Sequence, residues 1–261
     1  EEGPVVSPDG RTLAFVGAEA TRDFYAMPEA WLMPMAPGAP IRKAAPALDR
    51  PLAGRPIWRE DSSALVLLHH DAGVTRVVEV DAGDGSVRPK VNTVGGTRLY
   101  LPSAGGDFSY AAGTFAWTSA HADRPAGLAV SRGGEPTGGI DPNALWAKER
   151  AAGRMEEVRG KSRADGREIH GWLLYPPDFK PGKRYPLILD IHGGPNTDYG
   201  PFFSVTHALY AAAGYIVLFT NPRGSIGYGR AFAHLITDTY PGADHDDLMS
   251  MVDLVSTREE V

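Results

Sequence analysis

The residues of this 261-residue sequence that could take part in chemistry centre on one motif, His192-Gly193-Gly194-Pro195. The motif closes a continuous apolar run, residues 185–192, which has the length of a buried strand. Two glycines at the end of such a strand let backbone N–H groups approach a ligand without side-chain obstruction, as the donors of an oxyanion hole must. A glycine turn that only connects a strand to a helix is the alternative interpretation.

A serine that could act as the nucleophile is not evident. Ser225 lies in Arg223-Gly224-Ser225-Ile226-Gly227, where an arginine takes the place of the first glycine of the G-x-S-x-G nucleophile elbow. The sequence contains no G-x-S-x-G at any position. We therefore interpret Ser225 as a turn residue. Arg223 could bind a substrate carboxylate or hold the turn by hydrogen bonds to carbonyls, and the sequence does not decide between these roles.

Two histidine-containing groups could suggest a metal site. Residues 244–247, Asp-His-Asp-Asp, would point in different directions on a helix, and their spacing matches no zinc or calcium motif. Capping and solvation are expected for them. His69 and His70 lie in a predicted strand, where neighbouring side chains face opposite sides of the sheet, so they are a poor ligand pair. The sequence thus predicts no metal site.

The elements around the glycine motif alternate between strands and helices. After the Asp165-Gly166 turn, residues 168–175 alternate as a strand does, and residues 185–192 and 215–220 are apolar enough to be buried strands. The run before the motif is expected to be a central strand covered by helices on both faces. Helices are predicted over residues 143–150, 203–213, 228–236 and 244–256. A strand, a helix and a strand in succession imply a parallel sheet.

The first half of the chain has the pattern of many short antiparallel strands. A Pro8-Asp9-Gly10 turn precedes an alternating strand, and related phrases return at residues 58–68 and 103–112, an interval of about 45 to 50 residues. Each period has room for about four strands, which is the size of one β-propeller blade. About three periods are present, so the segment alone would not close a ring. An irregular β-sandwich is the alternative.

Composition excludes several classes of partner. The 26 basic and 32 acidic side chains give a net charge of −6 without a basic block, which disfavours nucleic acid and anionic membrane surfaces. No run approaches the roughly 18 to 20 apolar residues of a membrane helix, and the acidic opening is unlike a signal peptide. The absence of cysteine excludes thiol nucleophiles and disulfides but leaves both a cytoplasmic and a periplasmic location open.

Four segments occur in the order and spacing typical of one family. They are residues 165–173 (DGREIHGWL), 185–195 (YPLILDIHGGP), 220–229 (TNPRGSIGYG) and 247–249 (DLM). On these segments the sequence resembles the prolyl oligopeptidase family of serine peptidases, in particular its acylaminoacyl-peptidase and dipeptidyl-peptidase-like members. The resemblance implies an N-terminal β-propeller and a C-terminal α/β-hydrolase domain. We expect a partial propeller over residues 1–140, a connection over 141–164 and the N-terminal portion of the catalytic domain over 165–261.

The resemblance also implies hydrolysis of peptide bonds in short peptides by a Ser-Asp-His triad, without a cofactor. Gly194 would donate its backbone N–H to the oxyanion, with His192 and Gly193 forming the same loop and His192 orienting it by hydrogen bonding. Tyr199 and Phe202 would line the entrance for substrate, with ordinary packing as the alternative. Because the elbow serine follows the next strand in such domains, we expect the triad beyond residue 261 and no activity from these residues alone.

Two other functions are compatible with the same residues. A carboxylesterase uses the same oxyanion chemistry on esters. A non-catalytic binding module would use the propeller and the sheet only to present a surface. The sequence does not indicate which peptides would be cleaved, and it leaves a homo-oligomer open.

Overall fold

The computed structural model describes residues 2–20, 25–132, 136–150 and 152–261. Within these ranges the strands form four sheets of four strands each. The first three sheets are antiparallel, with their strands adjacent in chain order, and the fourth is mixed. The expectation of short antiparallel strands in the first half is confirmed. The parallel sheet expected in the second half is confirmed in part, because one of the three strand pairs of the fourth sheet is parallel and two are antiparallel.

The three antiparallel sheets follow one another along the chain. The first contains β1 (Glu2–Val6), β2 (Thr12–Gly17), β3 (Glu29–Pro34) and β4 (Arg42–Lys43). The second contains β5 (Leu52–Trp58), β6 (Ala64–Asp71), β7 (Val74–Asp81) and β8 (Val87–Val94). The third contains β9 (Phe108–Ala111), β10 (Thr114–Ser119), β11 (Gly127–Ser131) and β12 (Gly138–Ile140).

The predicted repeat is in phase in two of its three copies. In the first two sheets the recurring phrase leads into the second strand, with Gly10 (φ +74°) before β2 and Ser62 (φ +59°) before β6. In the third sheet the corresponding turn is made by Gly113 (φ +76°) between β9 and β10. The predicted third copy, residues 103–112, runs instead into β9. The prediction placed this copy one strand too early in its sheet. Small, turn-forming residues flank β9 on both sides, so the turn before β9 resembles the turn after it.

The middle sheet is buried on both faces. Successive side chains of β6 point to opposite faces of this sheet, and both sets are apolar. Leu65 and Leu67 pack with residues of the first sheet, among them Leu32. Val66 and Leu68 point the other way and pack toward the third sheet. The period of two in a strand thus lets one strand join two apolar cores.

The fourth sheet carries the glycine motif and has the strand order β13-β14-β16-β15. Its strands are β13 (Met155–Lys161), β14 (Glu168–Leu174), β15 (Leu187–Asp190) and β16 (Ile216–Asn221). The helices are α1 (Ala144–Glu149), α2 (Val205–Ala212), α3 (Arg230–Ala233), continued by a 3₁₀ turn at His234–Ile236, and α4 (Ala243–Ser256). No helix in the described part of the chain has the length and apolar character needed to cross a membrane.

Helices cover both faces of the fourth sheet. On one face, Met251 and Val255 of α4 pack against Ile169 and Leu218. On the other face, Ala211 of α2 packs with Trp172, Val217 and Phe219. The predicted helices over residues 203–213 and 244–256 are confirmed to within two residues at each end.

Among the described residues, β14 and β16 lie between β13 and β15, and the side chains of β15 are half-buried. A central position for β15 in the sheet stays a prediction. The segment expected to be a connection, residues 141–164, contains β13, which pairs with β14 along its whole length. β13 escapes prediction because Val158 is its only buried side chain, and its other positions are charged, small or half-buried.

Candidate active site

The glycine motif lies where two parallel strands end side by side. β15 and β16 are parallel, with Leu187 opposite Ile216 and Asp190 opposite Phe219. Their carboxyl ends therefore meet at one edge, which is where open α/β sheets bind ligands. The loop over residues 191–200 leaves β15 and holds the two glycines.

The two loops that follow these strands are joined by hydrogen bonds. Asn196 Nδ2 donates to the carbonyl oxygen of Gly224 at 2.8 Å. The N–H of Ile226 donates to the carbonyl oxygen of Thr197 at 3.0 Å. The residues directly after the glycine motif are thus bonded to segment 220–229, one of the segments that carried the resemblance.

Gly194 has the conformation and the surroundings expected of a backbone donor. Its φ is +129°, and a Cβ there would lie 3.1 Å from both Asn196 N and Thr197 Cγ2, so a side chain would be strained and crowded. Gly194 is exposed, and within the described part of the chain its N–H makes no hydrogen bond. Gly193 is also exposed, and a Cβ at that position would meet nothing within 4 Å. This arrangement leaves the N–H of Gly194 available to an acceptor from outside the chain.

His192 is buried behind the glycines, at 9 % exposure. Its Nδ1 lies 3.0 Å from the carbonyl oxygen of Gly193, and its Nε2 lies 3.0 Å from Ser225 Oγ. Burial lowers the pKa of His192, which keeps the ring neutral at pH 7. Both ring nitrogens are thus engaged with the two loops, which fits an orienting role.

Ser225 forms a serine–histidine contact but has no access to a substrate. It is fully buried, and its hydroxyl donates to the carbonyl oxygen of Pro222 at 2.7 Å. Its N–H donates to the same carbonyl at 3.1 Å, which closes a turn. The interpretation of Ser225 as a turn residue agrees with this geometry.

Arg223 has neither of the two roles considered from the sequence. It is buried, and its guanidinium donates to Asp247 at 2.8 and 2.9 Å and to Asp165 at 3.1 Å. The backbone N–H of Arg223 also donates to Asp247, at 2.8 Å. The hydrogen bond to Asp247 raises the pKa of Arg223. Because Asp247 lies on α4, this ion pair joins α4 to the loop after β16.

The expectation of capping and solvation for residues 244–247 is wrong for Asp247, which is fully buried beside Arg223. It holds for Asp244, which accepts the N–H of Gly242 at 2.5 Å at the helix start. The described residues contain no group of three or more histidine or acidic side chains that could hold a metal ion.

His69 and His70 face different surroundings, as expected for neighbours in a strand. His69 is buried, with its Nδ1 3.2 Å from the carbonyl oxygen of His70. His70 Nδ1 lies 3.3 Å from Oδ2 of Asp198, which is 1 % exposed and follows the glycine motif. Sequence reasoning missed Asp198. Its contact with His70 joins residues 128 positions apart, and no local sequence pattern indicates such a contact.

Tyr199 and Phe202 are 2 % and 1 % exposed, respectively. The ring of Tyr199 meets His192 edge-on, with centroids 5.1 Å apart, and also contacts Phe219. These contacts agree with the packing interpretation of both rings. A contact of either residue with substrate stays a prediction.

Comparison with known proteins finds similarity to one family. Residues 201–261 match the model of the prolyl oligopeptidase family. The chain is 32 % identical over 208 residues to "Uncharacterized peptidase YuxL" of Bacillus subtilis, covering 78 % of this chain and 30 % of that protein. The chain resembles peptidases of the prolyl oligopeptidase family. It is also 28 % identical over 200 residues to dipeptidyl-peptidase 5 of Aspergillus fumigatus, covering 74 % of this chain and 26 % of that protein.

Solved structures share the fold along nearly the whole chain. An acylaminoacyl peptidase in complex with Z-Gly-Gly-Phe-chloromethyl ketone superposes with a TM-score of 0.80 at 23 % identity, covering 97 % of this chain and 38 % of that one. Pyrococcus horikoshii acylaminoacyl peptidase gives 0.79 at 22 % identity, with the same coverage. The chain therefore spans about a third of the length of the relatives and structures that it matches.

The loop between the second and third antiparallel sheets holds the segment after the glycine motif. Gly200 N–H donates to the carbonyl oxygen of Pro102 at 2.7 Å, and Val205 N–H donates to that of Leu99 at 2.7 Å. The turn between β6 and β7 also contacts this segment. A Cβ on Gly200 would collide with the carbonyl oxygen of Gly73 in that turn. The candidate site therefore lies at the junction of the two halves.

A second polar network supports the loop after β16. His170 Nδ1 lies 2.8 Å from the hydroxyl of Tyr228, and Asn221 Nδ2 donates to the same hydroxyl at 2.8 Å. His170 Nε2 lies 3.1 Å from Glu157 Oε1, and Arg159 approaches within 3.5 Å. Burial, reinforced by the charge of Arg159, lowers the pKa of His170 to about 4.

This shifted pKa predicts a loss of stability in mild acid. Between pH 6.5 and about 4 the unfolded chain binds a proton at this position and the folded chain does not, so the contribution of His170 is lost as pH falls. The free energy of unfolding should fall by up to about 1.4 kcal/mol per pH unit from this group. Urea unfolding of the wild type and of His170→Gln at pH 7, 5.5 and 4.5 measures it. Parallel pH dependence in both proteins would contradict the assignment.

Proposed function

We propose that this chain is part of a serine peptidase that hydrolyses peptide bonds of short peptides, in the manner of an acylaminoacyl or a dipeptidyl peptidase. The observation that carries the proposal is the N–H of Gly194, exposed and unpartnered in the described part of the chain, at the carboxyl end of a parallel strand. Similarity to a peptidase family supplies the reaction class. We place the catalytic serine, aspartate and histidine in a part of the polypeptide outside residues 1–261.

The architecture is interpreted accordingly. We infer that the three antiparallel sheets are three blades of a β-propeller over residues 1–140. Residues 141–164 connect them to the N-terminal portion of an α/β-hydrolase domain over residues 165–261, with β13 already part of its sheet. The packing of α2 and α4 on opposite faces of the fourth sheet supports the hydrolase interpretation.

The chemistry assigned to this chain is the stabilisation of the oxyanion. The serine oxygen attacks the peptide carbonyl while the catalytic histidine takes the serine proton, and the negative charge collects on the carbonyl oxygen. Gly194 donates its N–H to that oxygen, and the N–H after the serine supplies the second donor. The amine leaves with the proton held by the histidine, and water then releases the acyl group by the same steps. His192 and Gly193 shape the donor loop, and no metal or organic cofactor is needed.

Access to the site would be restricted by the propeller, so the substrates are short or unstructured peptides. Tyr199 and Phe202 would line the entrance for substrate in the complete protein, although both are buried in the described part of the chain. The net charge of −6 gives no reason to invoke nucleic acid or a membrane as a partner. A homo-oligomer is compatible with the proposal.

Labelling of the active serine tests the proposal. The gene is sequenced beyond the codon of Val261, and the complete product and residues 1–261 are each treated with a fluorophosphonate probe. We expect one serine of the complete product, in a G-x-S-x-G elbow, to be labelled, and no labelling of residues 1–261. A complete product without an elbow serine, or one that stays unlabelled, would support a binding module instead.

A substrate panel then separates peptidase from esterase. The complete product, free of the probe, is assayed on acyl-peptides, on dipeptide 4-nitroanilides and on a 4-nitrophenyl ester. Turnover of either amide class supports the peptidase. Turnover of the ester alone would identify a carboxylesterase.

A further inference from the structure

The loop that carries the two glycines is tied together at its base. Asp190 is the last residue of β15, just before the loop, and Tyr199 stands near the loop's other end. The hydroxyl of Tyr199 donates to Asp190 Oδ2 at 3.0 Å. One side-chain hydrogen bond therefore closes the segment of residues 191–198 into a ring.

A histidine of α2 reaches the same carboxylate oxygen. His207 Nε2 lies 2.6 Å from Asp190 Oδ2, and the His207 side chain is 1 % exposed. Within the described residues, His207 Nδ1 has no hydrogen-bond partner, so the ring is held by the N–H on Nε2, which the carboxylate accepts. This hydrogen bond lowers the pKa of Asp190, which is therefore ionised at neutral pH.

The tyrosine is fixed at its backbone as well as at its hydroxyl. Asn221 at the end of β16 accepts the N–H of Tyr199 and donates to its carbonyl oxygen, both at 2.8 Å. The ring of Tyr199 stands edge-on to His192, whose Nδ1 is 3.0 Å from the carbonyl oxygen of Gly193. The carboxylate of Asp190 is thus connected to the glycines through two aromatic side chains.

We propose that Asp190, Tyr199 and His207 are positioning residues that set the direction of the Gly194 N–H. The inference rests on the proposed function, because it assigns these residues to the oxyanion loop of that reaction. A donor is effective only when it is held close to its productive geometry, and the supporting hydrogen bonds provide that restraint. None of the three side chains needs to touch substrate.

The first test removes a single oxygen atom. Tyr199→Phe is made in the protein encoded by the complete gene, and kcat is expressed per serine titrated with fluorophosphonate. We expect kcat to fall about tenfold while KM stays within about threefold, since the lost restraint affects the transition state more than substrate binding. Tyr210→Phe is the matched control, because Tyr210 lies on α2 with 39 % exposure and should leave kcat unchanged.

The second test asks whether a hydrogen-bond donor at position 207 suffices. His207→Gln can present an amide N–H to Asp190, whereas His207→Leu cannot. We expect the glutamine variant to keep most of the wild-type kcat and the leucine variant to lose about tenfold, both per titrated serine. A thermal unfolding curve for each variant shows whether the leucine protein is folded at the assay temperature.

The outcomes separate this inference from the proposed function. If the wild-type complete protein hydrolyses no peptide or ester and no serine is labelled, the proposed function fails and the positioning role fails with it. If the wild type is active and Tyr199→Phe keeps the wild-type kcat, the positioning role alone is overturned. A fall in the titrated fraction with unchanged kcat per site would show a structural role only, and would also overturn it.

Discussion

Replacing Arg223 by methionine is expected to lower the free energy of unfolding by about 3–5 kcal/mol, because the change leaves a buried carboxylate without its cation. Asp247 is fully buried, and Arg223 is 8 % exposed. The guanidinium donates twice to this carboxylate, at 2.8 and 2.9 Å. Without it, the backbone N–H of residue 223 is the one donor to Asp247 that is left among the described residues.

The measurement is urea unfolding followed by tryptophan fluorescence and circular dichroism at pH 7. Arg163→Met is the matched control, since Arg163 also pairs with an aspartate of α4, Asp246, but is 50 % exposed. Such exposed pairs contribute about 0–1 kcal/mol. Equal losses in the two variants would contradict the assignment of a buried pair.

A double variant isolates the cost of the unpaired charge. Arg223→Met combined with Asp247→Leu removes both charges and leaves apolar groups in their place. We expect it to be more stable than Arg223→Met alone, since no carboxylate is then buried without a partner. If the double variant is the less stable of the two, the loss at Arg223 comes from packing and not from charge.

The fold could be predicted where a short stretch of sequence determines the local structure. The apolar run of β16 and the stripe of Leu248, Met251 and Val255 on α4 are recognisable from periodicity alone, and both are confirmed. The apolar residues of β15 predict a central strand, and within the described residues β16 is the strand that pairs with it. The position of a strand in a sheet depends on its neighbours, which no local pattern contains.

The candidate site divides in the same way. The glycine motif is a contiguous signal, and its location after a strand could be predicted. Its supports could not, because they depend on contacts between distant residues. Asp247 looks like a solvated helix residue until Arg223 is placed beside it, at a separation of 24 residues. In the sequence, His207 likewise looks like an ordinary polar residue of a helix. In the structure its Nε2 lies 2.6 Å from Oδ2 of Asp190.

Replacing Gly194 by alanine is expected to lower kcat about 100-fold or more in the protein encoded by the complete gene, the usual cost of losing one oxyanion donor. Residue 194 has φ +129°, which alanine rarely adopts, and its Cβ would press on Asn196 N and Thr197 Cγ2 at 3.1 Å. The loop must shift to relieve this crowding, and the N–H then points away from the oxyanion. KM should change much less than kcat, because the donor acts mainly on the charge that develops in the transition state.

Gly193→Ala provides the comparison within the same motif. A Cβ at position 193 meets nothing within 4 Å, so alanine fits there without moving the loop. Steady-state kinetics per titrated serine should therefore show a far smaller loss of kcat at 193 than at 194. Equal losses would mean that the motif tolerates no side chain at either glycine, for example because substrate passes over both. A full kcat in Gly194→Ala would remove the N–H of Gly194 from the oxyanion hole, because a shifted donor cannot stabilise the transition state to the same extent.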